Sequence, residues 1–76
     1  MVYPNPTSDF LILNIKNYDN KDLTYQLFDM SGKLLENKKL TSNETIITME
    51  NRVAAIYFLK VMDHQIEVKT FKIIKQ

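Results

Sequence analysis

His64 is the only histidine of this chain, and it stands beside Asp63. An imidazole next to a carboxylate is the least that proton-transfer chemistry asks for. Catalysis also needs a nucleophile or a second titratable group held with the first. The chain has no cysteine, which removes thiol nucleophiles, thiolate metal ligands and disulfides together. Its single glycine rules out a glycine-rich phosphate loop. Asp19, Asn20 and Asp22 could offer oxygens to calcium from one stretch, but the ion takes about six to eight. These residues read better as a turn bonding its own backbone. His64 reads as a solvated turn residue, so no enzyme, cofactor or metal site is expected.

Charge is equally uninviting. Ten basic residues against nine acidic ones leave a net charge of +1, too even to draw nucleic acid or an anionic membrane. Lys69, Lys72 and Lys75 resemble a basic stripe. On a strand, however, Lys69 and Lys75 share one face and Lys72 takes the other. Lysines there discourage edge-to-edge pairing of sheets. Asn43-Glu44-Thr45 fits both a glycosylation acceptor and a plain surface turn. Tyr18 and Tyr25 are the candidate exposed aromatics, although Tyr25 alternates with leucines. No apolar run reaches the length of a membrane span, Val53 to Leu59 being the longest, so no direct membrane insertion is expected. Residues 1–20 carry no charged-then-apolar signal pattern.

The elements that must position these residues follow from a period-two pattern. Leu11, Leu13 and Ile15 alternate with polar or outward positions. Leu23, Tyr25 and Leu27 do the same against Thr24, Gln26 and Phe28. Asp29 to Lys33 is a turn with Gly32 placed for a positive φ, and Lys33 to Glu36 returns as a hairpin partner. Thr45 to Met49 is a β-branched run. Ile56 to Val61 is the strongest strand, with Tyr57, Leu59 and Val61 on one face. Asp63-His64-Gln65 turns into a last strand from Ile66 to Ile74, whose alternation slips between Thr70 and Phe71 and predicts a bulge there. Met49 to Leu59 tolerates at most one helical turn. The expectation is a single all-β domain, an antiparallel immunoglobulin-like β-sandwich of six or seven short strands. Without disulfides, a small core must hold it.

Both prolines fall in the opening "YPNPTSDF", where they push Tyr3 and Asn5 out of the helical region. That stretch and three later ones carry a resemblance. Tyr3-Pro4-Asn5-Pro6-Thr7-Ser8-Asp9-Phe10-Leu11, Tyr25 to Lys33 with its Asp29, Gly32 and Lys33, Ala54-Ala55-Ile56-Tyr57-Phe58-Leu59, and the basic-apolar ending Thr70 to Gln76 occur in that order. Together they resemble the type A C-terminal sorting domain of proteins exported by the type IX secretion system of Bacteroidetes. Ala55 stands where that family usually has glycine, and Arg52 where leucine is common.

The resemblance implies that residues 1–76 form a domain at the end of a larger secreted cargo. The opening Met1-Val2-Tyr3 fits the start of an excised piece. Such domains direct cargo from the periplasm across the outer membrane to the cell surface or medium. In many members a sortase-like cysteine protease then removes the domain. Partners would be the secretion machinery and the attached N-terminal cargo, with the domain itself a monomer. Recognition is expected on the last strand, Thr70, Phe71, Lys72, Ile73, Ile74, Lys75 and Gln76, through free backbone groups at a sheet edge. Tyr3, Pro4, Asn5, Pro6, Asp9, Asp29, Gly32, Lys33 and Tyr57 match motif positions and are expected to serve the fold. The prolines in particular would set a rigid exit for the linker. Two rivals remain open on the residues alone: an adhesive or carbohydrate-binding sandwich, and a structural spacer.

Overall fold

Seven short antiparallel strands form two sheets in the computed structural model, which describes residues 1–16 and 22–76. They are β1 (Val2–Tyr3), β2 (Phe10–Asn14), β3 (Leu23–Phe28), β4 (Leu34–Lys39), β5 (Glu44–Thr48), β6 (Ala55–Asp63) and β7 (Ile66–Lys75). A three-stranded sheet runs β1-β2-β5 and a four-stranded sheet runs β4-β3-β6-β7. This is the expected β-sandwich. Asp19, Asn20 and Tyr18 lie outside the described residues. Asp22 pairs with Lys39 at 3.0 Å on the surface.

The core follows the alternation. Leu11, Leu13 and Ile47 from the smaller sheet meet Leu23, Tyr25, Leu27, Tyr57, Leu59, Val61 and Ile73 from the larger one. Leu40 and Met49 close the two ends. Period two holds because each strand is covered on one face and wetted on the other. The chain between Met49 and Ala55 makes only a turn, with the Arg52 amide donating to the Met49 carbonyl at 3.0 Å.

The bulge lies earlier than the alternation predicts. Val61 pairs with Lys69 and Met62 with Glu67, so Val68 is the extra residue, while pairing from Lys69 to Lys75 is unbroken. The apolar residues change parity across this bulge: Phe71 and Ile73 pack against the core, while Ile66 and Val68 stay exposed. A second bulge leaves Leu35 unpaired between Glu36 and Leu34, and its side chain packs against the core.

The proline-rich opening does more than lead in. β1 pairs with β2, and Met1 and Asn14 exchange both backbone hydrogen bonds, at 2.8 and 2.9 Å. The chain then passes through two cis prolyl bonds, Tyr3–Pro4 and Asn5–Pro6, and crosses to the edge of the other sheet at Thr7. The prolines therefore connect two sheets inside the fold. They do not stand at its exit, because β1 precedes them.

Candidate recognition surface at one end of the sandwich

Strand direction brings the four motif stretches to one end. β2 and β6 start there, β3 and β5 finish there, and β7 finishes there with the C-terminus. Met1, paired with Asn14, sits at the opposite end.

Asn5 and Thr7 make the corner. The Asn5 Nδ2 donates to the Lys72 carbonyl at 2.8 Å, and its Oδ1 accepts the Ile74 amide at 2.9 Å. One side-chain amide thus supplies the acceptor and donor that a neighbouring strand would have supplied. Thr7 continues the pairing through backbone: its amide donates to the Ile74 carbonyl at 2.9 Å, and its carbonyl accepts the Gln76 amide at 2.8 Å. Thr7 is the buried polar residue of the described chain, and its hydroxyl bonds to the Phe10 carbonyl. A buried hydroxyl needs such a partner. Asp9 is exposed, and its carbonyl accepts the Met49 amide at 2.7 Å.

This arrangement alters the expectation for the last strand. The edge from Lys72 to Gln76 is not free, since Asn5 and Thr7 occupy it. One face of the strand packs inward. Ile73 is fully buried and Phe71 packs partly against the core with the Lys69 ammonium over its ring at 5.4 Å. Thr70, Lys72, Ile74 and Gln76 are exposed, while Lys75 is half-buried. Lys72 and Ile74 lie on the outer face of the larger sheet, opposite Phe58 and Ile56. Tyr3, Pro4 and Pro6 are exposed beside the corner.

The second motif stretch forms the β3–β4 turn. Asp29 Oδ1 accepts the Ser31 hydroxyl at 2.7 Å and the Ser31 and Lys33 amides at 2.9 Å. The hydrogen bond from the Ser31 side chain, then that from the Lys33 backbone, holds the Asp29 carboxyl below its ordinary value. Gly32 takes φ +88° there, a conformation that suits glycine. Lys33 is exposed.

The third stretch ties the β5–β6 connection to the core. Tyr57 buries its ring and donates its hydroxyl to the Val53 carbonyl, four residues upstream, at 2.7 Å. This is the logic of a tyrosine corner. Tyr57→Phe keeps the packing and loses the bond, so thermal unfolding should show about 1 kcal/mol lost, or roughly 4–8 °C in Tm. Ala55 does not need a positive φ: among described non-glycine residues only His64, at the β6–β7 turn, has one. Alanine is therefore tolerated where glycine is usual, and Ala55 pairs with Lys75 in the sheet.

Arg52 is also accommodated. Its guanidinium meets Glu36 Oε2 at 2.8 Å, and Glu36 Oε1 accepts the Tyr25 hydroxyl at 2.9 Å. Burial, reinforced by that bond to Glu36, pushes the Tyr25 hydroxyl up from its ordinary pKa. The sequence singles out Arg52 and Tyr25 and places Thr7 only within the opening motif, but it gives Glu36 no role beyond the hairpin strand. A charge at an inward parity position of β4 was the available signal for Glu36. Next to this network a groove of about 450 Å³ runs between the two motif turns, lined by Met30, Leu35, Val53 and Ile56 among others.

No group of three His, Asp or Glu side chains that could hold a metal occurs among the described residues. His64 is exposed, 3.9 Å from Asp63. Asn43 is exposed too, with its carbonyl accepting the Ile15 amide at 2.8 Å. No helix of the described chain is long and apolar enough to cross a membrane.

The motif stretches of this sandwich serve turns, edges and packing, and converge at one end. A family model of the secretion system C-terminal sorting domain matches residues 1–76, and the chain belongs to that family. It is thus a C-terminal sorting signal of the type IX secretion system. Proteins carrying such a tail are exported to the cell surface or the extracellular space. A search of curated proteins gave no match.

Proposed function

We propose that the chain acts, as a monomer, at the C-terminus of a cargo and is read by the outer-membrane type IX machinery as a folded surface. The observation that carries this reading is the clasp of Asn5 and Thr7 on β7. Motif residues from the two ends of the chain thereby share one corner, which a linear tail could not provide. Thr70, Lys72, Ile74 and Gln76 supply the exposed determinants, while Phe71, Ile73 and Lys75 hold the strand in place. Cargo joined ahead of Met1 leaves from the opposite end and does not crowd this corner. The cargo crosses the periplasm before export, and a sortase-like cysteine protease acts on the linker.

The test is export of a reporter carrying a periplasmic signal and residues 1–76, in a host with a working type IX system. Lys72→Glu combined with Ile74→Glu changes only exposed positions, and Lys38→Glu on β4 serves as the control. Export of the double variant should fall about tenfold with folding retained, a loss worth about 1.4 kcal/mol of recognition. Undiminished export of the folded double variant would reject the terminal strand as the determinant. The carbohydrate-binding alternative has one supporting feature, the exposed Tyr3 and Phe10 on the outer face of the smaller sheet. Failure of the unaltered domain to leave the periplasm, joined to glycan binding lost in Phe10→Ala, would favour it.

A further inference from the structure

We propose that the outer edge of β5 is a strand-acceptor site for an extended peptide segment with alternating apolar side chains and a basic residue at each end. This inference goes beyond the export reading and does not depend on it.

The other sheet edges are defended. Asn5 and Thr7 close the C-terminal half of β7 and a bulge at Val68 beside Lys69 interrupts its other half, β4 carries Lys38 and Lys39, and β1 has only two residues. β5 has none of these protections. It reads Glu-Thr-Ile-Ile-Thr, without lysine or proline, and pairs with β2 in unbroken register. Such an edge is a template for another strand.

The open groups can be named. Asn14 directs its amide and carbonyl to Met1, away from β5. Backbone directions alternate along antiparallel strands. Through the pairing of Asn14 with Glu44 and Ile12 with Ile46, the outward groups on β5 belong to Glu44, Ile46 and Thr48. The Ser42 hydroxyl takes the amide and carbonyl of Glu44. The amides and carbonyls of Ile46 and Thr48 have no partner among the described residues. The Ile46 side chain, 70% exposed, stands on the outer face beside Ile12 and waits for an apolar neighbour.

Charge selects the occupant. Glu44 opens the strand and Glu50 follows just past its end, both exposed. A second copy could satisfy all four open groups by pairing Ile46 with Thr48. That register would set Glu44 opposite Glu50 twice, and like charges directly opposed oppose pairing. A segment with lysine or arginine at both ends turns the same two carboxylates into partners.

The probe is the peptide Lys-Thr-Ile-Thr-Val-Thr-Lys, capped at both termini, added to the 76-residue chain. Its counterpart carries Glu in place of both Lys. Binding on the order of 1 mM is expected for the basic peptide, with amide exchange of Ile46 and Thr48 slowed about tenfold, and the acidic peptide about tenfold weaker. Thr48→Pro removes an outward donor without a ladder bond and should abolish binding. Glu44→Lys with Glu50→Lys should reverse the preference, and carries the test by itself if the proline variant unfolds. The proposal is overturned by no binding of the basic peptide, by equal binding of both, or by protection at another edge. Concentration-dependent dimerisation that protects Ile46 and Thr48 without peptide also overturns it, since a second copy would then be the occupant.

Discussion

Ile73→Ala is expected to lower stability by about 3 kcal/mol and Tm by more than about 10 °C. Ile73 is completely buried, against the inner residues of both sheets, and pairs with Tyr57 at the start of β6. Truncating it loses the transfer energy of the missing carbons and leaves a cavity that the surrounding leucines fill only in part. A chain of 76 residues has roughly 4–11 kcal/mol to lose, so this change consumes a large share. Urea denaturation followed by far-UV circular dichroism would measure it. A loss under about 1 kcal/mol would mean the site collapses freely and the burial is energetically empty. The consequence for export is direct. Removing residues 70–76 takes away Ile73 and the partners of β6 from Ala55 to Lys60, so the truncated domain should unfold. Export lost on that deletion cannot be assigned to recognition. Substitutions at exposed Lys72 and Ile74 separate the two, because Ile73→Ala should fail by unfolding and they should fail while folded.

Asn5→Ala should lower stability by about 2 kcal/mol, a surprising sum for an exposed residue. Two hydrogen bonds disappear, and the Lys72 carbonyl and Ile74 amide are left to water. The loss should be local in its first effect. Amide exchange at Ile74 and Gln76 should speed up while that at Leu27 and Leu59 changes only with global stability. Asn5→Asp tests the geometry further. Its carboxylate can still accept from Ile74 but has no donor for the Lys72 carbonyl, and it sets negative charge against that oxygen. The aspartate variant should therefore recover little of the loss. If Asp restores full stability, only the Ile74 bond matters and the paired-amide account fails.

The same clasp links stability to the sorting role. Alanine at position 5 leaves the side chains of Lys72 and Ile74 unchanged but loosens the strand that presents them. Reduced export in a folded Asn5→Ala domain would mean that the machinery reads an ordered corner. Unreduced export would mean that it reads residues which remain available when the strand frays.

Much of this was legible from one dimension. Leu23, Tyr25, Leu27, Tyr57, Leu59 and Val61 announced two core strands by parity alone, since a pleated strand covered on one face must alternate. Asp29 and Gly32 announced a turn, because aspartate bonds its own backbone and glycine takes positive φ without steric opposition. The four motif stretches identified the family, whose model spans the whole chain. Other features had no local signal. A side-chain amide standing in for a strand depends on residues 67 and 69 positions apart meeting at one edge. The position of the bulge at Val68 depends on how β7 registers against β6, which no window of sequence contains. Whether Arg52 is awkward depends on Glu36 lying across the sandwich to receive it. Local periodicity therefore determined which residues turn inward and where the chain bends. Only the packing of one sheet on the other decided which edge is closed, which is open, and which members of the last strand can be touched, because hydrogen-bond pairing across an edge is a property of neighbours in space.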